Sequence, residues 1–296
     1  MSSKQVAVYG LGNMGFLIAE RVAKHFPTKV ADLDTTRVQL ACDGFAAQPL
    51  NETEDLSQLK VVVLCLPSPA ASEHVLKQIA PRLPSDAVIV ETSTVNPDDI
   101  KASQKILAPF GLPLVDASIL AGVSQMKAGS ATLLLGGDEA DIASAQDVLD
   151  AIAEKQIYFG PSGAGAAAKV INNAVAHAVM VVVAEAGSLA TAAGVSCDKL
   201  ISLLADPQMG LHRPLTHRYA ERIVNGDYAG GMPLDAARKD STLALELAQS
   251  LGVPLFAIQG SHTIYEIASA AGYGRDDYAA IAKVWADWGK PAVPAK

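Results

Sequence analysis

The chain opens on a pattern that leaves little freedom in how its first half can fold. Gln5, Val6, Ala7, Val8 and Tyr9 are followed at once by Gly10-Leu11-Gly12-Asn13-Met14-Gly15 and then by a helical pattern reaching Phe26. The β-branched and aromatic run reads as a strand. Gly10 permits the tight turn out of it, Gly12 lets the backbone approach a pyrophosphate, and Gly15 lets helix and strand pack closely, with the phosphates on the helix N-terminus. A bare G-x-G-x-x-G says little, but a strand before and a helix after make it a dinucleotide fingerprint. A second strand near 29–31 ends at Asp32. A carboxylate there accepts the hydrogen bonds of the adenosine ribose 2′-hydroxyl and repels a 2′-phosphate, so Asp32 favours NAD over NADP. Asp34 adds to that repulsion if it faces the pocket, while Arg37 is a mild counter-signal; either acid can instead cap the helix that follows.

The same alternation continues. Residues 61–66 form a continuous apolar run, as expected of a strand buried between helices, and it ends in Pro67-Ser68-Pro69, at a strand C-terminus where ligands sit on open α/β sheets. Residues 88–90 predict another strand, followed by Thr92-Ser93-Thr94 and a helix opened by Asn96-Pro97. Strands at 114–118, 131–136 and 156–159, a loop at 119–129 and a helix at 141–154 complete the half. This predicts an α/β, doubly wound Rossmann-type parallel sheet domain, residues 1–162. Alanine then dominates and strands disappear, which predicts an all-α substrate and dimerisation domain, residues 163–296, entered by a long interdomain helix at 166–194 with Gly194 as its cap. Further helices are expected at 197–205, 215–224, 233–252, 256–271 and 276–288.

Composition narrows the partners. Half of the 296 residues are hydrophobic, 18% are charged and the formal net charge is −8. An acidic chain of this kind lacks the clustered Lys and Arg that nucleic acid or an anionic membrane would want. Cys42, Cys65 and Cys197 show no metal or disulfide spacing, which points to a reducing compartment and no metal. The most apolar run, residues 174–184, is shorter than the roughly 20 residues of a membrane span, and the N-terminal segment shows no presequence pattern. The expectation is a cytoplasmic protein acting on a small molecule, with no nucleic-acid or membrane partner. The apolar surplus of the helical half predicts a homodimer or homotetramer.

The chemistry is expected in the stretch GPSGAGAAAKVINNAVAH, residues 160–177. A glycine-rich entry passes into the long helix, which carries Lys169 and Asn173 on one face one turn apart. Both can reach the same small molecule. His177 continues the stripe, although a satisfied core or interface histidine is the plainer reading.

Taken together, these segments resemble the β-hydroxyacid dehydrogenase family, which includes 3-hydroxyisobutyrate dehydrogenase and tartronate semialdehyde reductase and is related to 6-phosphogluconate dehydrogenase. The matching motifs, in order, are GLGNMG at 10–15, CLPS at 65–68, ETSTVNP at 91–97, DASILAGVSQMKAG at 116–129, the GxGxxxKxxNN pattern at 163–173 and ARKDSTLALELA at 237–248. The resemblance implies that Gly10, Leu11, Gly12, Asn13, Met14, Gly15, Asp32, Leu66, Pro67, Ser68 and Thr94 contact the dinucleotide. It makes Lys169 the catalytic acid/base, Asn173 a substrate-orienting amide, and Lys239 a residue near the nicotinamide end of the cofactor. Ser118, Leu120 and Gly122, with Asn173, fall at the substrate. Burial in an Ala/Val-rich cleft would bring the lysine closer to working pH.

The chain leaves the family's pattern in one place. Members usually read DAPVSGG where this chain has Asp116-Ala117-Ser118-Ile119-Leu120-Ala121-Gly122. Leu120 replaces a serine that would bond the substrate's carboxylate, and Gln125 and Met126 replace small residues, so the substrate is expected to be larger, less charged or held differently. Two rival readings follow: an imine reductase with an apolar pocket, which Leu120 and Ala121 favour and Lys169, Asn173 and Asp32 oppose, and a catalytically silent dinucleotide-binding assembly module, which Lys169 opposes.

Overall fold

In the computed structural model, which describes residues 4–51 and 53–294, the chain divides into two compact units, Met1–Ala174 and Val175–Lys296. The first holds the strands β1 Gln5–Tyr9, β2 Thr28–Ala31, β3 Gln48–Pro49, β4 Leu59–Leu64, β5 Val88–Glu91, β6 Leu114–Leu120, β7 Thr132–Gly136 and β8 Lys155–Tyr158. Between them run the helices α1 Asn13–Ala23, α2 Thr35–Phe45, α3 Pro69–Ile79, α4 Pro97–Leu107, α5 Val123–Ala128 and α6 Glu139–Ile152. The strands form one sheet in the order β3-β2-β1-β4-β5-β6-β7-β8.

Residues alternate between the two faces of a strand, and here both faces are covered. Val6, Val8, Val61, Val63, Val88, Val90 and Val115 pack into one layer with Leu17, Ile18 and Val22 of α1 and Val148, Leu149 and Ile152 of α6. Ala7, Val62, Leu64, Ile89 and Leu114 pack into the other with Leu76 and Ile79 of α3 and Ile100 and Leu107 of α4. Burial on both sides is why these strands read as unbroken apolar runs rather than as alternating ones.

The sheet is parallel as far as β6 and reverses at β7. The linker at 121–131 contains only the short α5, less than the dozen or so residues that a parallel crossover needs. The expected loop is therefore partly strand, because β6 runs on to Leu120, and partly helix. The reversal has a consequence for the site. Tyr9 lies beside Leu64, Leu64 beside Glu91, Glu91 beside Asp116, and Asp116 beside Gly136. β6 overhangs that row, β7 and β8 run back along the overhang, and the chain leaves β8 level with the carboxyl ends of β1, β4 and β5. There begins α7, Ala164–Ala192, inside which the two units divide.

α7 is, among the described residues, long and apolar enough to cross a membrane by length and composition, with a mean hydropathy of 1.6. The shorter apolar run counted in the sequence understated this. Length and composition alone are weak evidence of a span, and the second half of the helix belongs to a folded unit. Its Glu185 is buried and accepts from Ala257 N–H at 2.8 Å and Ile258 N–H at 3.1 Å, so it caps a second helix of the same unit. Burial alone would raise that carboxyl, but the N–H groups of Ala257, Ile258 and Phe256 hold it below the usual range.

The second unit continues with α8 Cys197–Ala205, a π-helix Pro214–Ile223, α9 Leu234–Ser250, α10 Phe256–Ala268 and α11 Ala282–Asp287. Its own core is small: Leu234, Ala268, Ala280 and Val284, flanked by tyrosines. Ile201, Leu203, Leu215, Leu243 and Phe256 remain exposed. Polar contacts do much of the tying. Asp277 is fully buried and faces Arg218 Nε at 3.2 Å and Arg222 Nε at 3.6 Å, and Arg218 lies 4.5 Å over the Tyr278 ring. Arg218, one member of a basic cluster in the sequence, is thereby committed to a structural ion pair. Removing one side of a buried charge pair strands the other. Asp277→Ala is therefore expected to cost about 3–5 kcal/mol in denaturant unfolding; a loss under about 1 kcal/mol would show that water satisfies both arginines.

Candidate active site

Gly10 has φ +90°, where L side chains are strained, and a Cβ on it would run into the Cys65 carbonyl. A Cβ on Gly15 would strike the Gly10 carbonyl, whereas Gly12 has open space around its Cα. These differences assign the three positions: Gly10 and Gly15 bring β1, α1 and the end of β4 together, and Gly12 leaves the first turn of α1 accessible. That turn has no side-chain cap, so its N–H groups remain available to an anion.

Asp32, just beyond β2, holds this loop. Its Oδ2 accepts from Leu11 N–H and its Oδ1 from Asp34 N–H at 2.8 Å. The carboxylate is thus fixed at the lip of the glycine loop before any ligand arrives. Asp34 is the N-cap of α2, accepting from Thr36 N–H at 2.9 Å. Arg37 sends Nη1 to the Leu11 carbonyl at 3.3 Å, so its guanidinium borders the same loop.

Further along the same sheet edge, Leu66 N–H donates to Ser93 Oγ at 2.8 Å, coupling the loops after β4 and β5. Ser68 is the N-cap of α3, accepting from Ala71 N–H at 3.2 Å, and exposed Thr94 precedes Asn96, the N-cap of α4. Gly12, Pro67, Thr94 and Gly122 present exposed positions in loops, and Asn13 is exposed at the start of α1. No group of His, Cys, Asp or Glu able to hold a metal occurs among the described residues.

The lysine enters through α7. Asp116, fully buried on β6, accepts at Oδ2 from Ala166 N–H at 2.9 Å. Lys169 follows one turn later and is half-buried; burial lowers its pKa from that of a free lysine. Asn173 is a further turn on, with its amide oxygen 3.5 Å from Asn172 Nδ2. The sequence reading had no role for Asp116 or for its neighbour in register, Glu91, which is also buried and accepts from Ser93 N–H at 2.8 Å. The available signal was a carboxylate in each of two largely apolar strands, at the end of β5 and inside β6.

At the substrate loop, Ser118 is buried within β6 and Leu120 is half-buried at its tip. Gly122 N–H donates to Gln125 Oε1 at 2.8 Å, so the Gln125 amide oxygen is used on its own helix. Met126 belongs to the core and Val123 is exposed. Lys239 lies in the second unit on α9, where its exposed ammonium is 2.8 Å from Asp240 Oδ1.

A dinucleotide loop ahead of a mostly parallel sheet, followed by helices, marks a dinucleotide-binding protein, and the comparisons make the class specific. Residues 5–160 match the family model described as the NAD binding domain of 6-phosphogluconate dehydrogenase. Residues 163–285 match the one described as NAD-binding of NADP-dependent 3-hydroxyisobutyrate dehydrogenase. The chain belongs to the β-hydroxyacid dehydrogenase family. It is 29% identical to 2-(hydroxymethyl)glutarate dehydrogenase of Eubacterium barkeri, over 96% of this chain and 95% of that one. It is 27% identical to mitochondrial 3-hydroxyisobutyrate dehydrogenase of Drosophila melanogaster, over 94% and 88%. In fold it resembles an imine reductase from Pseudomonas sp., with a TM-score of 0.85 at 22% identity over 95% of this chain and 99% of that one.

Burial pushes the Asp116 carboxyl up from 3.8 to about 6, against the lowering by the N–H groups of Ala166, Gly165 and Gly163. The folded protein therefore holds this proton more tightly than the unfolded chain does. The stabilising contribution is complete below the unfolded value, is lost as pH rises from 3.8 to about 6, and is flat above that. Asp116→Asn removes the dependence. Across that interval the stability of the parent relative to Asp116→Asn should fall by on the order of 3 kcal/mol, measured by denaturant unfolding; parallel pH profiles would show that Asp116 does not titrate there.

Proposed function

We propose that this protein is an NAD-dependent oxidoreductase that interconverts a β-hydroxy acid and its semialdehyde or keto form, with Lys169 as the general acid/base. The observation that carries this reading is the half-buried lysine with a lowered pKa, held on α7 one turn from a buried anchor at the edge of the sheet that bears the glycine loop. When bound, the nicotinamide supplies the hydride donor or acceptor. In the oxidation direction Lys169 Nζ takes the hydroxyl proton; in reduction it gives one to the carbonyl oxygen. Asn173, which does not titrate, orients the same oxygen in either direction.

The residues present suit the cofactor. The uncapped first turn of α1 and the open space at Gly12 suit a pyrophosphate, with Leu11, Asn13 and Met14 completing the loop. The prepositioned Asp32 carboxylate suits a ribose 2′-hydroxyl and disfavours a 2′-phosphate. Leu66, Pro67, Ser68 and Thr94, on the loops after β4 and β5, are assigned to the remainder of the cofactor. At the substrate, Leu120 and Gly122 are assigned to the wall, while Ser118 is buried within β6. Leu120 and the self-occupied Gln125 favour a substrate whose group at that wall is apolar or uncharged. The exposed apolar residues of the second unit support a homodimer or homotetramer, and the three free cysteines support a cytoplasmic setting.

Lys169→Ala should lower kcat by about 10²–10⁴-fold on the best member of a panel of 3-hydroxy acids and aldehyde acids followed by NADH absorbance, and leave NADH affinity within about twofold. In the parent, oxidation should quicken as pH rises through an apparent pKa below that of free lysine, a limb the variant lacks. Full activity of Lys169→Ala, or turnover of cyclic imines with NADPH and of no hydroxy acid, would overturn the reading.

Asp32→Ser should reduce the preference for NAD over NADP by about tenfold or more, the loss expected from a charge-assisted hydrogen bond and from relief of anionic repulsion. Competitive binding of the two reduced cofactors measures it, and an unchanged ratio would place the discrimination elsewhere.

A further inference from the structure

We propose that Asp116 is a positioning residue for the reaction: by accepting the first N–H groups of α7, it sets the height and rotation of the helix that carries Lys169 and Asn173. The inference rests on the reading of Lys169 given above. The first turn of a helix leaves N–H groups without intrahelical partners, and a residue just ahead of it normally satisfies them. Gly163 stands in that place and has no side chain to offer, and the buried hydroxyl of Ser162 before it has no hydrogen-bond partner. The N–H of Ala166 goes instead to Asp116, a residue 50 positions away in sequence. A local cap satisfies a helix wherever the helix lies; a cap from a central strand ties it to one place on the sheet.

The surroundings are cut to that contact. A Cβ on Gly136, the cross-strand neighbour of Asp116, would stand 2.7 Å from Asp116 Oδ2 and 2.8 Å from Gly165 N. A side chain there would fill the space in which carboxylate and helix meet. A Cβ on Gly165 would strike the Leu134 carbonyl, and one on Gly163 would come 3.2 Å from Pro97 Cβ. The helix end is thus pressed against β7 and the start of α4 while Asp116 holds it from β6. Lys169 is three residues from Ala166, about 4.5 Å along a helix rising 1.5 Å per residue, so a slip at the seat reaches the amine almost undiminished. Misplacement of about 1 Å is enough to cost on the order of 10²-fold in rate.

The test compares Asp116→Ala, Asp116→Asn and Gly136→Ala with the parent. Asp116→Ala should lower kcat at least tenfold, leave KM for NAD within twofold and speed hydrogen exchange at the Ala166 amide. Asp116→Asn, whose amide oxygen still accepts, should recover most of the kcat. Gly136→Ala, which leaves Asp116 in place and intrudes on the seat, should reproduce the kcat loss and keeps the test open if Asp116→Ala does not fold. A kcat within twofold of the parent in both Asp116→Ala and Gly136→Ala, unchanged exchange at Ala166, or no recovery in Asp116→Asn would overturn the proposal. If Lys169→Ala retains full activity, the reading of Lys169 fails on its own, and exchange at Ala166 still decides whether Asp116 seats the helix.

Discussion

A carboxylate buried in the middle of a sheet must find donors within hydrogen-bond reach, and Asp116 finds them in the backbone of a helix that starts 48 residues later, at Ala164. Much of the first unit is arranged so that this can happen. The sheet reverses at β7, the strand beside Asp116 carries a glycine there, and the entry to α7 is short and glycine-rich. The helix N-terminus supplies partial positive charge and free N–H groups together, the environment a buried anion needs. Even so, the carboxyl is raised to about 6, so at neutral pH the ionised form is held at some cost to folding stability. An apolar residue, with a local cap on α7, would be the cheaper way merely to start a helix.

That one contact also relates the two halves of the site within the first unit. The glycine loop, Asp32, and the loops after β4 and β5 sit at the carboxyl ends of parallel strands, where doubly wound sheets bind ligands. Lys169 reaches this edge by another route, through strands that run the other way. The register Glu91, Asp116, Gly136 is what levels the start of α7 with the ends of β1, β4 and β5.

These relations differ in how plainly the sequence shows them. The strand, glycine loop and helix at 5–23 are local: φ preference, close approach and apolar spacing are all set within about twenty residues, so they read directly. The long helix with Lys169 and Asn173 is legible for the same reason, because helical period decides which side chains share a face. The reversal at β7 is legible only through loop length, and the reading of 119–129 as plain loop missed both the strand extension and α5. Asp116 was invisible as an anchor because its partner is settled by strand order and register, which no local window contains.

The exposed part of the departure from the family pattern sits where the fold depends on it least. Residues 116–118 are buried and serve the sheet and the seat of α7, and they keep the family's first two residues. Beyond Leu120 the chain leaves the sheet, and its side-chain bond, Gly122 N–H to Gln125 Oε1, can be made in any context that permits a short helix. Side chains here can change without disturbing Asp116, Gly136 or Lys169. A scaffold built this way separates the group that moves the proton, fixed through a buried carboxylate, from the wall that selects the substrate, which is free to turn apolar. The requirement that Ala166 meet Asp116 therefore constrains the reaction type far more tightly than it constrains which molecule undergoes it.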